Sequence, residues 1–255
     1  MNRAAESVVV ALVGGAVLRI SLTDQYLSYV REGLRPFLVA AGVLLLATAG
    51  ATLRSEVFGR RRPADPHGTD PGQVEPVRAG AARGGHGHAH GRTPVAWLLV
   101  LPVVALVLVG PRPLGADAAG RAGTALGSRA DADFPPLTAD DPARVGLLDY
   151  ASRAVFDQGR TLDGRRVLLT GFTTDGPGGE VQLTRMILTC CAADARPVKV
   201  GLAGDVPGGL APDTWIEVVG RYSSRTARDP VNGETVPYLL VESFREVPAP
   251  ARAYE

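Results

Sequence analysis

Residues Pro36–Leu53 read PFLVAAGVLLLATAGATL, a run without a single charged side chain. Crossing the hydrocarbon core of a bilayer takes about 20 mostly apolar residues in a helix, with a lower limit near 17. A soluble core helix of that length would show a polar face, and here the only polar side chains are Thr48 and Thr52. The stretch predicts a transmembrane helix, and with it a membrane protein of α+β class.

Two further apolar runs flank it. Pro94–Pro111, PVAWLLVLPVVALVLVGP, carries Trp97 where an interfacial aromatic belong to the belt would sit. Its Pro102 would break a soluble helix but is tolerated in a membrane, where neighbours re-satisfy the backbone. Ser7–Leu18, SVVVALVGGAVL, is shorter and follows Arg3 in the manner of a signal peptide. No small-x-small cleavage site comes after it, so it reads as an uncleaved helix over about 5–22, with Arg19 snorkelling to the headgroups. An intramembrane functional charge is the other reading of Arg19. The patch Gly14-Gly15-Ala16 would let a second helix approach closely.

Between the second and third runs lies an Arg-, Gly- and Pro-rich stretch without hydrophobic periodicity, which reads as disordered. Its arginines at 54, 60, 61, 62, 78, 83 and 92 place it in the cytoplasm by the positive-inside rule. One crossing later the C-terminal half is extracytoplasmic, whether or not the first run spans. The expected organisation is a membrane region 1–53 (helices about 5–22 and 36–53), a linker 54–93, a membrane helix 94–111, a flexible stretch 112–143 and a soluble domain 144–255.

The soluble domain opens with an amphipathic helix at Leu147–Gln158. Strand-like runs follow at 165–173, 180–188, 197–202, 214–222 and 238–247, separated by turn signals such as Pro207-Gly-Gly and Asn232-Gly. Five short strands with Gly171 inside the first predict a small OB-like β-barrel, with a small sandwich as the alternative.

Composition narrows the function. The net charge of +1 gives no basic surface for nucleic acid, and the aromatics are too few for a base-stacking groove. All basic side chains but Lys199 are arginine, and Gly (31) and Pro (20) are abundant, a bias that a GC-rich genome explains. Two adjacent cysteines cannot make a disulfide framework. The GxSxG, GxxxxGK[ST] and HExxH motifs are absent, and every histidine precedes residue 91, so a Ser-His or Cys-His dyad within the C-terminal domain is excluded. The chain does not read as an enzyme.

Two clusters remain that could carry chemistry. His86, His88 and His90 alternate along the linker as HGHAH. Imidazoles on a flexible backbone chelate a divalent transition metal such as zinc, labile for want of a fixed fourth ligand. A polar spacer is the plain alternative. Cys190 and Cys191, followed by Asp194, close the second strand run. Either the thiols and the carboxylate serve metal or redox chemistry, or one sulfur packs inward and the other faces solvent as strand alternation requires.

Several stretches together resemble one family: LRISLTDQYLSYVREGLRPFL (18–38), HGHAH (86–90), WLLVLPVVALVL (97–108), LLDYASRAVFD (147–157), LLTGF (168–172) and LTRMILTCCAADARPVKV (183–200). They are similar to the YcgQ-like permease-subunit family of Gram-positive bacteria, the CCAADARPV stretch being the most specific part. The resemblance implies a larger polytopic permease as partner, and it transfers no catalytic residue. The expected function is that of an accessory subunit of a membrane transporter, embedded in the lipid bilayer, with a transition metal as the species its histidines and thiols point to. A standalone envelope protein with a partner-binding β domain, or a membrane-tethered thiol redox protein, are the competing readings.

The linker histidines are testable in isolation. A peptide covering Arg83–Thr93 should bind one zinc or nickel ion with micromolar or weaker affinity, since nothing pre-organises the three rings. Titration calorimetry near neutral pH without any heat would leave only the spacer.

Overall fold

The computed structural model describes residues 3–59, 113–126, 133–206 and 208–255. The third apolar run and all four histidines lie outside the described residues, and with them residues 60–93 of the linker expected to bind metal.

The described chain divides into two compact units. In the first, α1 (Arg3–Leu22) and α2 (Arg35–Gly59) contribute the residues up to Arg19 and from Phe37 onward. The helices run antiparallel: Ser7 Oγ donates to Thr52 Oγ1 at 3.0 Å, whereas Gly14 faces Gly42 and Leu45 further along. A methyl group on Gly14 would stand 2.9 Å from the Leu45 Cβ, so glycine is what lets the two backbones approach there. Its neighbour Gly15 meets nothing within 4 Å among the described residues. Helix α2 extends past Leu53, the expected end of the membrane helix, to Gly59. The helical stretch Glu32–Ser55 is long and apolar enough to cross a membrane, the one such stretch among the described residues.

The second unit holds Ile20–Pro36 together with the C-terminal part of the chain. Ile20–Pro36 falls inside the expected membrane region 1–53, yet it packs as part of this unit. Its Tyr26 is buried and lies beneath the Arg35 guanidinium, 5.5 Å from the ring centre. Next come α3 (Ala116–Arg121), β1 (Ala143–Arg144), α4 (Leu147–Phe156), β2 (Arg166–Asp175), β3 (Val181–Ile187), β4 (Arg196–Gly204), β5 (Trp215–Arg228) and β6 (Thr235–Glu246).

The strands form one sheet in the order β1-β2-β3-β4-β6-β5. β2 also pairs with β5, so the ladder of β2–β6 returns to its start. Two of these pairings are parallel, the short β1 with β2 and β4 with β6, and the rest are antiparallel. Closing so few strands demands strong coiling, and two glycines permit it. A Cβ on Gly171 would lie 2.6 Å from the Thr184 carbonyl oxygen, and one on Gly220, at a register shift in β5, 2.4 Å from that of Leu240. Val167 and Leu169 of β2, Ile216 and Val218 of β5, Val198 and Val200 of β4 and Leu239 of β6 all bury their side chains in one core. Helix α4 covers that core with Leu147, Tyr150, Ala151 and Ala154, the i, i+3, i+4, i+7 spacing of one helix face. The Tyr150 hydroxyl donates to the Tyr238 carbonyl at 2.7 Å, which meets the polar requirement of a buried tyrosine.

The stretch expected to be flexible, 112–143, is in part firmly packed. Ala119 of α3 is fully buried against Phe172 and Met186. Thr124 is buried too, and the reason is an ion pair. Lys199, the sole lysine, points its Nζ at Asp229 Oδ2 at 2.9 Å with both side chains out of solvent. The same ammonium donates to the Ala122 carbonyl at 2.9 Å, and the carboxylate accepts Thr124 N at 3.0 Å and Val231 N at 2.8 Å. Burial pushes the Asp229 carboxyl up, but the Lys199 hydrogen bond and the two backbone donors outweigh it and hold it below the ordinary carboxylate range. A carboxyl with a depressed folded pKa stabilises the fold above the ordinary range and loses that contribution as pH falls through the folded value.

Lys199→Met should therefore lower stability by about 3–5 kcal/mol, the cost of leaving a buried carboxylate without its counter-ion. Adding Asp229→Leu should recover only part of it, since Thr124 N and Val231 N then lose their acceptor. Thermal unfolding of the full-length protein in detergent reads both, and a silent Lys199→Met would contradict the pairing.

Candidate thiol site

Strand β3 gives out at Ile187, whose partner Arg196 opens β4. Everything from Leu188 to Ala195 is connection, so Cys190 and Cys191 stand beyond the strand they were expected to end. The alternation that would bury one sulfur and expose the other does not reach them: Cys190 is exposed and Cys191 half-buried.

Asp194 organises this connection. It closes a short 3-10 turn, Ala192–Asp194, and its carboxylate folds back over the preceding residues. Oδ2 accepts Cys190 N at 2.8 Å and Oδ1 accepts Thr189 N at 3.1 Å. With Cys191 extended (φ −151°, ψ 169°), the chain bends so that the two sulfurs come within 3.6 Å of each other. Both are free thiols, well beyond the roughly 2.05 Å of a disulfide. The candidate ligand atoms of Cys190, Cys191 and Asp194 all lie within 4.8 Å of one another.

Protonation follows from that crowding. The hydrogen bond to Asp194, then the Cys191 thiol, pushes the Cys190 thiol up to about 12. The same Cys190 contact, with backbone donors from Cys190 and Thr189, holds the Asp194 carboxyl below its usual range. Near neutral pH the group is thus a protonated thiol lying against a carboxylate. A divalent cation reverses this balance, since a coordinating thiol is deprotonated outright. Two soft sulfurs and one hard oxygen suit a borderline ion, and three protein ligands leave a coordination position open.

A second wall of the site comes from the segment that joins α1 to α2. Val30 and Cys191 form an antiparallel bridge, with Arg31 N donating to the Cys190 carbonyl at 3.1 Å and Ala192 N to the Tyr29 carbonyl at 2.6 Å. The Tyr254 hydroxyl donates to Ser28 O at 3.2 Å, and Arg252 pairs with Glu32 at 2.7 Å. Together they border a cavity of about 210 Å³ lined by Leu27, Val30, Arg31, Leu188 and Tyr254 among others. Sequence reasoning missed Tyr29–Arg31 and Arg252–Tyr254 as neighbours of the thiols. The available signal was the length and polarity of Thr23–Leu34, more than a plain turn between two spans requires. His86, His88 and His90 lie outside the described residues.

Residues 154–255 match the DUF1980 C-terminal domain, an uncharacterised family. The matched stretch starts within α4 and takes in β2–β6 and the thiol loop, and it leaves out α3 and Tyr29–Arg31. No curated protein and no solved structure matches the chain.

The carboxylate's grip on Cys190 has a kinetic signature. Asp194→Asn removes the negative charge that raises the Cys190 thiol, so its thiolate fraction should grow at any pH below about 12. Nucleophilicity falls by less than half as steeply as thiolate population rises, so alkylation at pH 8.5 should quicken in the variant. Mass-spectrometric rates on the full-length protein decide it, an unchanged rate being the contrary result.

Proposed function

We propose that this chain is a membrane-anchored accessory subunit of a permease, and that its C-terminal domain takes up a borderline divalent metal ion such as zinc at Cys190, Cys191 and Asp194. The observation that carries the reading is the convergence of these three side chains, within 4.8 Å, on a loop that leaves the strand geometry to achieve it. An exposed site with an open coordination position suits capture and release better than a structural role, which would close the shell.

Support for the anchor comes from the first unit, where Phe37 is 71% exposed and Leu44 65%. Apolar surface of that kind is at home against lipid tails. The resemblance to the YcgQ-like permease subunits supplies the polytopic partner, and the arginines of 54–93 favour a multi-pass chain with an extracytoplasmic C-terminal domain. In this reading the ring of β2–β6 is an OB-like barrel: five strands, one parallel pairing between the third and the fifth, and a closing pair between the first and the fourth. The linker histidines then form a second, weaker metal station on the opposite side of the membrane.

The 3.6 Å between the sulfurs also favours a second reading, reversible dithiol–disulfide exchange by a membrane-tethered redox protein. Zinc competition against a chromophoric chelator, on full-length reduced protein with His86, His88 and His90 replaced by alanine, separates the two. The metal reading expects one ion per chain, lost in Cys190→Ser and in Cys191→Ser alike because two ligands of one site act as a unit. A serine variant that binds as the parent does would overturn it. Zinc-blind protein whose thiols cycle with a redox buffer would favour the second reading.

A further inference from the structure

The thiol loop is held from two sides by different means. On its own side, Asp194 fixes the backbone N–H groups of Thr189 and Cys190. On the other, the backbone of Tyr29–Arg31 runs alongside Cys190–Ala192 as a two-rung antiparallel ladder. The peptide between the cysteines is therefore bounded by hydrogen bonds at the N–H of Cys190, the carbonyl of Cys190 and the N–H of Ala192. Adjacent residues on a free extended chain send their side chains to opposite faces. Bringing both sulfurs to one side needs that peptide held in place, and the ladder supplies two of the three bonds that hold it.

The partner strand of this ladder is not a passive neighbour. Thr23–Leu34 leads directly from the end of α1 to the start of α2, and it is anchored around the loop by the Arg252–Glu32 pair and by Tyr254 on Ser28. We infer that Tyr29–Arg31 is a positioning strap: its backbone pre-organises the two thiols for bidentate capture of one thiophilic ion such as zinc, and capture in turn orders the strap that links the two apolar helices. The ordering follows from reciprocity, since a segment that strengthens binding at a site is strengthened by that binding to the same degree. The inference takes its ligand class from the proposed metal function, but the ladder itself stands apart from it.

Two substitutions cut the ladder with little other disturbance. Arg31 has φ −61° and ψ 142°, so Arg31→Pro deletes the donor to the Cys190 carbonyl at a φ that proline already prefers. Ala192 is the first residue of its 3-10 turn, a position that favours proline, so Ala192→Pro deletes the donor to Tyr29 from the opposite side. Arg31→Ala, which keeps the N–H, controls for the lost side chain.

The probe is phenylarsine oxide, which bridges two neighbouring thiols and releases water, used on the full-length reduced chain in detergent. Half-saturation should move up roughly two- to tenfold in Arg31→Pro and in Ala192→Pro relative to Arg31→Ala, the worth of one backbone hydrogen bond. Alkylation of single thiols by N-ethylmaleimide should stay unchanged, because it asks nothing of the sulfur pair's geometry. In the parent protein the bridged state should slow amide hydrogen exchange across Thr23–Leu34. Equal arsenical affinity in both proline variants and the control, or exchange in that segment indifferent to bridging, would overturn the strap. A zinc titration run alongside keeps the two ideas apart: a strap effect on the arsenical with no zinc bound sinks the metal reading and leaves the strap standing.

Discussion

Within the C-terminal unit much depends on a single buried charge. Lys199 sits in β4 among valines, and among the described residues Asp229 is the carboxylate that balances it. Moving an ammonium and a carboxylate out of water costs several kcal/mol per ion, and their attraction offsets this only with good geometry and full hydrogen bonding. The protein meets that condition by drawing backbone from three places: the Ala122 carbonyl, Thr124 N and Val231 N. Asp229 also shapes the β5–β6 turn, its own N–H donating to Glu234 O and its carbonyl accepting Gly233 N. A slip of β4 by one residue would turn Lys199 away from Asp229 and strand both charges, so the pair selects the register as well as closing the structure. That selection bears on the thiols, because β4 starts where their loop ends and its register against β3 sets how the loop must bend.

The same economy recurs at the loop. One aspartate caps two backbone donors, bends the chain and raises the thiol it touches. In water a lone thiol near neutral pH is a modest ligand. Beside a carboxylate it is a worse nucleophile, since the raised pKa keeps it protonated near neutral pH. Reactivity toward stray oxidants is thereby suppressed.

The elements of the C-terminal domain were largely legible. Alternating patterns marked five strands within a few residues of β2–β6, and the i, i+3, i+4, i+7 stripe marked α4. Local periodicity carries such elements because each buries one face. What stayed hidden was non-local. Gly, Ala and Arg made 112–143 look like linker, yet small residues are also what allows Ala119 and Thr124 to pack flush against strands, and the lysine that fixes them lies some 75 positions away. The thiol loop misled for a related reason. Strand alternation was extended across Cys190 and Cys191 because nothing in LTCCAADA marks Ile187 as the end. The stop is imposed by Asp194, by Tyr29–Arg31 and by Glu255, whose carbonyl takes Leu188 N.

That last point changes what the helices can mean. A membrane anchor needs only apolar length, and any turn could join α1 to α2. Here the turn carries a buried Tyr26 under Arg35, a half-buried Tyr29 whose hydroxyl has no partner among the described residues, and a backbone rung against each side of a cysteine. Ordering such a segment costs about 1–2 kcal/mol of backbone entropy per residue, which a mere tether would not incur. The expense is intelligible if the connection is part of the site. The residues matching the uncharacterised C-terminal domain supply the thiols and the carboxylate, and the chain between the two apolar helices supplies the wall that aligns them. A domain expressed from residue 154 onward would carry both thiols and the Asp194 carboxylate but lack the backbone rungs of Tyr29–Arg31.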